Sequence, residues 1–271
     1  MSSAVAAYFP LNAADEIDIV DPESGTYYGA KADSEPSFAE GLVVNINTTK
    51  PNNDDPAAAL IAVQSRDIAS SNMSESGGAA DPSKRAVVIN MNGGALTSLK
   101  AVAGAANIYG TVEINVNGGL IQDSSSGVGA IIGSSNLASN AHVWGNSDIN
   151  IGNSLGDPQP TVSGSILGFA MGTLHGNTNI VINGGTFSAS SSSTKGIFAG
   201  ANWNGVIEGD TNITVKDGIV SCIIAGGNAN TKSGSYATIK GSSNVTIEGG
   251  SLYTVYLSLI HISEPTRHPR I

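Results

Sequence analysis

Cysteine is nearly absent from this chain: Cys222 stands alone, which excludes an internal disulfide and a cysteine-based zinc site. Aromatic residues make up only 5% and charged residues only 13% of the 271 positions, too little of either for an ordinary helical domain with a bulky core and an ionic surface. No apolar run is long enough to cross a bilayer as a helix, and residues 1–20 lack both the basic and the apolar region of a secretory signal. Positive charge is scarce as well. Twelve Lys and Arg stand against 22 Asp and Glu, for a net charge of -10, so the electrostatic attraction behind nucleic-acid and anionic-membrane binding is missing. Neither nucleic acid nor membrane insertion is therefore expected. The hydrophobic share of 40% is nevertheless too high for a disordered chain.

What the chain has in abundance is glycine, 34 residues of it, and the glycines recur in order. The unit Gly-x-Ser/Thr-x-Ile/Val-x-Ile/Val-x-Gly-Gly is clearest at Gly176–Gly185, Gly209–Gly218 and Gly241–Gly250, with looser copies from Gly110 and Gly145. Its leading glycines are 35, 31, 33 and 32 residues apart, regular enough for a structural repeat and elastic enough for loop insertions. Apolar residues alternate inside each unit, as in Ile213 and Val215, which predicts a short strand with one buried face. A second apolar patch ending in glycine follows each strand, at Ala130–Gly133, Phe169–Gly172, Ile197–Gly200 and Ile223–Gly226. A third, very short one precedes the next leading glycine, at Val206–Ile207 and Thr238–Ile239.

Three strands per turn, joined by glycine bends that tolerate positive φ, describe an all-β parallel solenoid with coils of roughly 25–35 residues stacked about 4.8 Å apart. A left-handed hexapeptide solenoid would need a strict six-residue rhythm, and a calcium-binding nonapeptide solenoid would need Gly-Gly-x-Gly-x-Asp; neither occurs. A right-handed parallel β-helix is the expected architecture.

Regular coils are expected over residues 87–256, the earliest opening with the strand and turn Val87–Gly94. Residues 1–86 read as irregular N-terminal rungs: Ile17 with Ile19 and Val44 with Ile46 suggest strands, and Pro56–Val63 suits a strand or a short helix. Within that part, residues 64–85 read as a mobile loop rich in Ser, Asn, Ala and Gly. The tail is of another kind. Leu257–Arg267 resembles the conceptual translation of a transposase-type sequencing adapter, so residues 257–271 are expected to be a non-native read-through and the natural part to belong to a larger parent chain. Without the tail, only His142 and His175 remain as histidines.

Aligning the units on their leading glycine sorts residues into rows. Asn146, Asn177, Asp210 and Ser242 form one row; Asp148, Asn179, Asn212 and Asn244 form another. Stacked amides of this kind bond to one another along the axis and satisfy turn backbone groups. The row before the glycine holds Tyr109, Trp144, His175, Glu208 and Lys240, which alternate with the inward Ile108, Val143, Leu174, Ile207 and Ile239 and so point outward. Tyr109, Trp144 and His175 are the candidate glycan contacts, because exposed aromatics one rung apart make a flat strip on which sugars stack. Glu208 with Lys240, and Lys216 with Glu248, are expected to pair across rungs for little stability.

Catalytic signals are weak. Glu208 with Asp210 is the nearest carboxylate pair, no third catalytic group is evident, and no arginine lies between residues 108 and 256. Asp54 and Asp55 carry no ligand pattern, and the sequons at Asn47, Asn72, Asn212 and Asn244 say little in a repeat rich in Asn and Thr. No cofactor or metal is expected.

Over residues 87–256 the spacing of glycine and β-branched residues resembles bacterial surface proteins with pectate-lyase-like β-helix repeats, of the adhesin-like kind. That resemblance implies a structural or adhesive module, extracellular or at the cell surface, with glycans or a host surface as partners. Its enzymatic alternative is a polysaccharide lyase or hydrolase, or a phage tailspike relative, lacking its catalytic rungs. Such enzymes usually present clustered aspartates with calcium and arginine, or aspartates with histidine, and neither set stands in these coils.

Overall fold

The computed structural model describes residues 15–22, 25–31, 39–48, 58–64, 68–69, 85–104, 106–123, 130–133, 141–153, 158–188, 196–201, 204–227 and 237–256. All of its regular structure among these residues is β, and every strand pairing is parallel. The first sheet has eight strands: Asp15–Val20, Leu42–Asn47, Arg85–Met91, Thr111–Val116, Ser147–Ile151, Thr178–Ile182, Thr211–Val215 and Ser243–Ile247. An 11-stranded second sheet and a 7-stranded third sheet complete it. The chain visits the three sheets in the same order again and again, an arrangement consistent with a β-solenoid.

Pairing is in register with the glycine-led repeat. Ile114, Ile149, Ile180, Ile213 and Val245 lie in one column, each beside its counterpart in the next coil. These inward residues and their counterparts from the other sheets form one continuous apolar core, and burial follows strand alternation in Ser147–Ile151, Thr178–Ile182 and Thr211–Val215; in the second sheet Ile132, Leu167 and Phe198 are buried as well, in a second, small cluster. The coil length, read from residues bonded across neighbouring coils, is 25, 35, 31, 33 and 32 from Asn90 onward. Between Asn45 and Asn90 it is 45, outside the expected range, and the long stretch of that coil lies between its third-sheet strand Ile68–Ala69 and the first-sheet strand Arg85–Met91. Of residues 64–85, expected to be a mobile loop, Gln64, Ile68–Ala69 and Arg85 belong to strands; the others, and the adapter-like tail 257–271, lie outside the described residues.

Upstream, Asp15–Val20 and Leu42–Asn47 pair as the first two rungs, with Ile17, Ile19, Val44 and Ile46 facing inward as expected. Ala58–Gln64 resolves the Pro56–Val63 ambiguity in favour of strand: its β-branched and small residues alternate against Ala95–Ala103. One apolar patch is corrected. Phe169–Gly172 is not a strand; Ile166–Leu167 pairs instead with Ile131–Ile132 and Ile197–Phe198, and Phe169 is buried in the connection to the third sheet. Two glycines, Gly168 and Gly172, made two endings available to that patch, and the register of the neighbouring coils selects the first.

The two glycines of each unit serve different ends. Gly119, Gly152, Gly185, Gly218 and Gly250, at the end of the unit, have φ between +79° and +105°, the left-handed region that an L side chain resists. The leading glycines Gly145, Gly176, Gly209 and Gly241 are needed for closeness instead: a Cβ on any of them would overlap the backbone of the glycine one coil earlier. Next to this corner a column of hydroxyls lies inside the core. Ser147 Oγ donates to Gly168 O and Thr178 Oγ1 to Ala199 O, both at 2.6 Å, which ties the first sheet to the chain leaving the second.

The expected amide rows are present and have a direction. Asn244 donates through Nδ2 to Asn212, Asn212 to Asn179, and Asn179 to Asp148, at 2.9, 2.9 and 2.7 Å. A parallel ladder runs from Asn150 through Asn115 and Asn90 to Asn45, which donates to Asp18. These two ladders thus end on a carboxylate, a group that only accepts and requires no further donor, while a shorter one runs from Asn117 through Asn92 to Asn47. The turn row works through the backbone: the amides of Asn177, Asp210 and Ser242 donate to the side-chain oxygens of Asn146, Asn177 and Asp210. At Ser243–Ile247 and Ser251–Tyr256 the inward residues meet no further coil among the described residues, and Ile247 and Val255 are exposed.

Replacing Gly176 with alanine should cost about 2–4 kcal/mol, because the new methyl group meets backbone that cannot turn aside. Urea unfolding of Gly176→Ala beside the unaltered chain checks this, and equal midpoints would contradict the close approach.

Candidate functional site

The third sheet is built from very short strands: Asn107–Tyr109, His142–Val143, Thr173–Leu174, Val206–Ile207 and Thr238–Ile239 stack in register, after Ala39–Glu40 and Ile68–Ala69. Ile108, Val143, Leu174 and Ile207 point into the core, and alternation sends the residues on both sides of each outward. Tyr109, Trp144 and His175 are brought together as the row predicted. They do not, however, lie flat. The Tyr109 and Trp144 rings stack face to face, with centroids 4.8 Å apart and planes 6° apart, and His175 stacks on the other side of Trp144 at 4.9 Å and 12°. The rings use their faces on one another and turn their edges outward, an arrangement favoured by parallel register alone. Tyr109, expected to be exposed, is only 7% exposed, so the strip of open ring faces is corrected to a column of ring edges.

His142 belongs to the same site and was not singled out from the sequence. It precedes the inward Val143 as Trp144 follows it, so the same alternation places both outside. Its ring is 5.1 Å from Trp144 and 5.3 Å from His175. His142 Nδ1 and His175 Nε2 are 3.1 Å apart, a hydrogen bond between imidazoles. Taking two ring radii from the 5.3 Å centroid separation leaves that same distance, so both nitrogens lie on the line joining the centres. The imidazoles therefore meet edge to edge, nearly coplanar, and the indole lies over the pair.

From His175 the chain of polar contacts continues. His175 Nδ1–H donates to Glu208 Oε2 at 2.9 Å, and Lys240 Nζ donates to Glu208 Oε1 at 2.7 Å. Four consecutive coils are linked through their outer side chains. The Lys240 ammonium, then the His175 ring, hold the Glu208 carboxyl below its ordinary range. Burial, reinforced by neighbouring His175 and opposed by Glu208, lowers His142 from the ordinary imidazole value.

Of the carboxylate pair that the sequence offered, Glu208 is engaged by Lys240 and His175, and Asp210 Oδ1 accepts the Ser242 amide. Among the described residues no three His, Cys, Asp or Glu side chains are placed to hold a metal ion. Lys216 and Glu248 form no ion pair there, in contrast to Lys240 and Glu208, since both stand at an exposed corner with no third group to orient them. Arg85 pairs with Glu113 on the outer face of the first sheet, away from the aromatic column. Asn47, Asn212 and Asn244 are ladder members, whereas Asn72, Asp54, Asp55 and Arg66 lie outside the described residues.

No protein-family model matches the chain, and no curated protein or solved structure shows significant similarity to it.

Trp144→Ala should lower stability by about 1–3 kcal/mol through the loss of three ring contacts, whereas Lys240→Met should stay within about 0.5 kcal/mol because its ion pair is exposed. Thermal unfolding of both variants ranks them. A Lys240 effect as large as that of Trp144 would show that charge, and not ring stacking, holds this face.

Proposed function

We propose that the chain is a non-catalytic structural and adhesive module, a right-handed parallel β-helix from a bacterial surface or secreted protein, and that it contacts glycans through the outer face of its third sheet. The observation that carries this reading is the concentration of Tyr109, Trp144, His142 and His175 on one face of a chain with only 5% aromatic residues. Aromatic edges bordered by hydrogen-bonding groups, here Glu208 and Lys240, suit a polyhydroxylated ligand better than an apolar one. The right hand is supported by the strong preference of parallel strand crossovers for that sense. Resemblance to adhesin-like β-helix repeats supports the surface location and the larger parent chain. That the carboxylates near the column are engaged in structural contacts favours binding over turnover.

An immobilised panel of neutral and acidic glycans, tested at about pH 5 and about pH 7.5 with parallel assays for reducing ends and unsaturated products, tests this directly. Retention of the protein, its loss in Trp144→Ala, and no product are the expected results. Product formation would replace the adhesive reading with an enzymatic one.

A further inference from the structure

The column has a feature that a passive binding face does not need. Both faces of the Trp144 indole are occupied by the protein itself, one by Tyr109 and the other by two imidazoles bonded edge to edge. A sugar cannot stack on an indole covered in this way. The cover on one side, however, depends on a single shared proton.

We propose that the His142–His175 pair is an acid-operated cover over Trp144, which keeps one indole face closed while the pair shares one bridging proton and opens it when His142 takes up a second. The proposal rests on the glycan-contact reading and adds its regulation. In the neutral pair, His175 Nδ1–H donates to Glu208, so His175 Nε2 accepts from His142 Nδ1–H. One proton from solvent can be added at His142 Nε2 while the bridging proton shifts to His175 Nε2. His175 then donates in both directions, to His142 Nδ1 and to Glu208, and the geometry is kept. A further proton has only His142 Nδ1 to occupy. Two N–H groups would then face each other across 3.1 Å on two cationic rings, and the bond becomes a repulsion.

The ring that leaves is His142. His175 is held by Glu208, which is itself held by Lys240, whereas among the described residues the bond to His175 is the one side-chain hydrogen bond that ties His142 down. Among the described residues the titratable or charged groups around His142 are His175, Glu208, Lys240 and, across the indole, Tyr109; Asp210 lies beyond Glu208 with Oδ1 on the Ser242 amide. The direction of the His142 shift agrees. Because its ring is held below the ordinary value of about 6.5, the closed arrangement is fully present above that pH and is lost as the pH falls through the lower folded value.

The test uses the full chain with Trp203→Phe, which leaves Trp144 as the sole tryptophan. Acrylamide quenching of Trp144 is followed from about pH 7.5 to about pH 4.5 with far-UV circular dichroism recorded alongside. The expected result is that quenching rises at least about twofold on acidification while the β signal stays constant, because an indole face that was covered becomes accessible. His142→Phe, a ring that covers without titrating, should stay at the low value throughout. Flat quenching in the parent chain, an equal rise in His142→Phe, or loss of the β signal before quenching rises would each overturn the proposal. Glycan retention on the same panel separates it from the reading beneath it. Retention that rises with quenching supports both. Opening without retention at either pH removes the glycan contact and leaves the cover, and retention that is equal at both pH values with flat quenching removes the cover and leaves the contact.

Discussion

The architecture depends on how closely one coil can lie on the next. Parallel strands set a spacing of about 4.8 Å, and at the corner before the first sheet this is met only because Gly145, Gly176, Gly209 and Gly241 have no side chain to intrude on the glycine beneath. From that contact the remainder of the register follows. The residue after each leading glycine is placed to cap the next coil's amide, the buried Ser or Thr reaches the chain leaving the second sheet, and the alternating Ile and Val fall into columns. The core has no centre in the globular sense, so stability is spread along the stack as a sum of contacts between neighbours.

Direction is the second property of the stack. Within the ladders each Asn side chain donates toward the preceding coil, and the two longer ladders terminate on acids, Asp148 and Asp18. Asp148 is where the polarity is strained. Burial raises its carboxyl above the ordinary value, the Asn179 amide counteracts this, and the nearby Glu113 adds to it. An acid at this point satisfies the ladder and sets two carboxylates side by side in adjacent coils, with Arg85 on Glu113 as the compensating charge.

Much of this was legible in the residues. The spacing of the leading glycines gave the coil, alternation gave the inward Ile213 and Val215, and alignment gave the rows that became hydrogen-bonded ladders. Three things were not. A row shows which side chains neighbour one another but not whether rings lie flat or stack, and the small interplanar angles are what make the strip a column. Phe169–Gly172 was misplaced because two glycines offered two registers and only the neighbouring coil chooses between them. His142 is marked as outward by alternation around Val143, but the glycine-led repeat aligns Trp144 and not the outward residue two positions earlier, so its partnership with His175 is not visible in the rows. The polar chain His142–His175–Glu208–Lys240 is therefore a product of register that no single coil contains.

Disulfide trapping tests the stacking itself most directly. Val181 pairs with Thr214, and Thr214 with Thr246, on the outer face of the first sheet. In a Cys222→Ser chain, Val181→Cys with Thr214→Cys places two thiols on adjacent coils at about the Cα separation a disulfide needs, whereas Val181→Cys with Thr246→Cys places them two coils apart, about twice that far. The first pair should oxidise to an internal disulfide and the second should remain reduced. A reduced first pair, or an oxidised second one, would contradict the coil-upon-coil register on which the whole account rests.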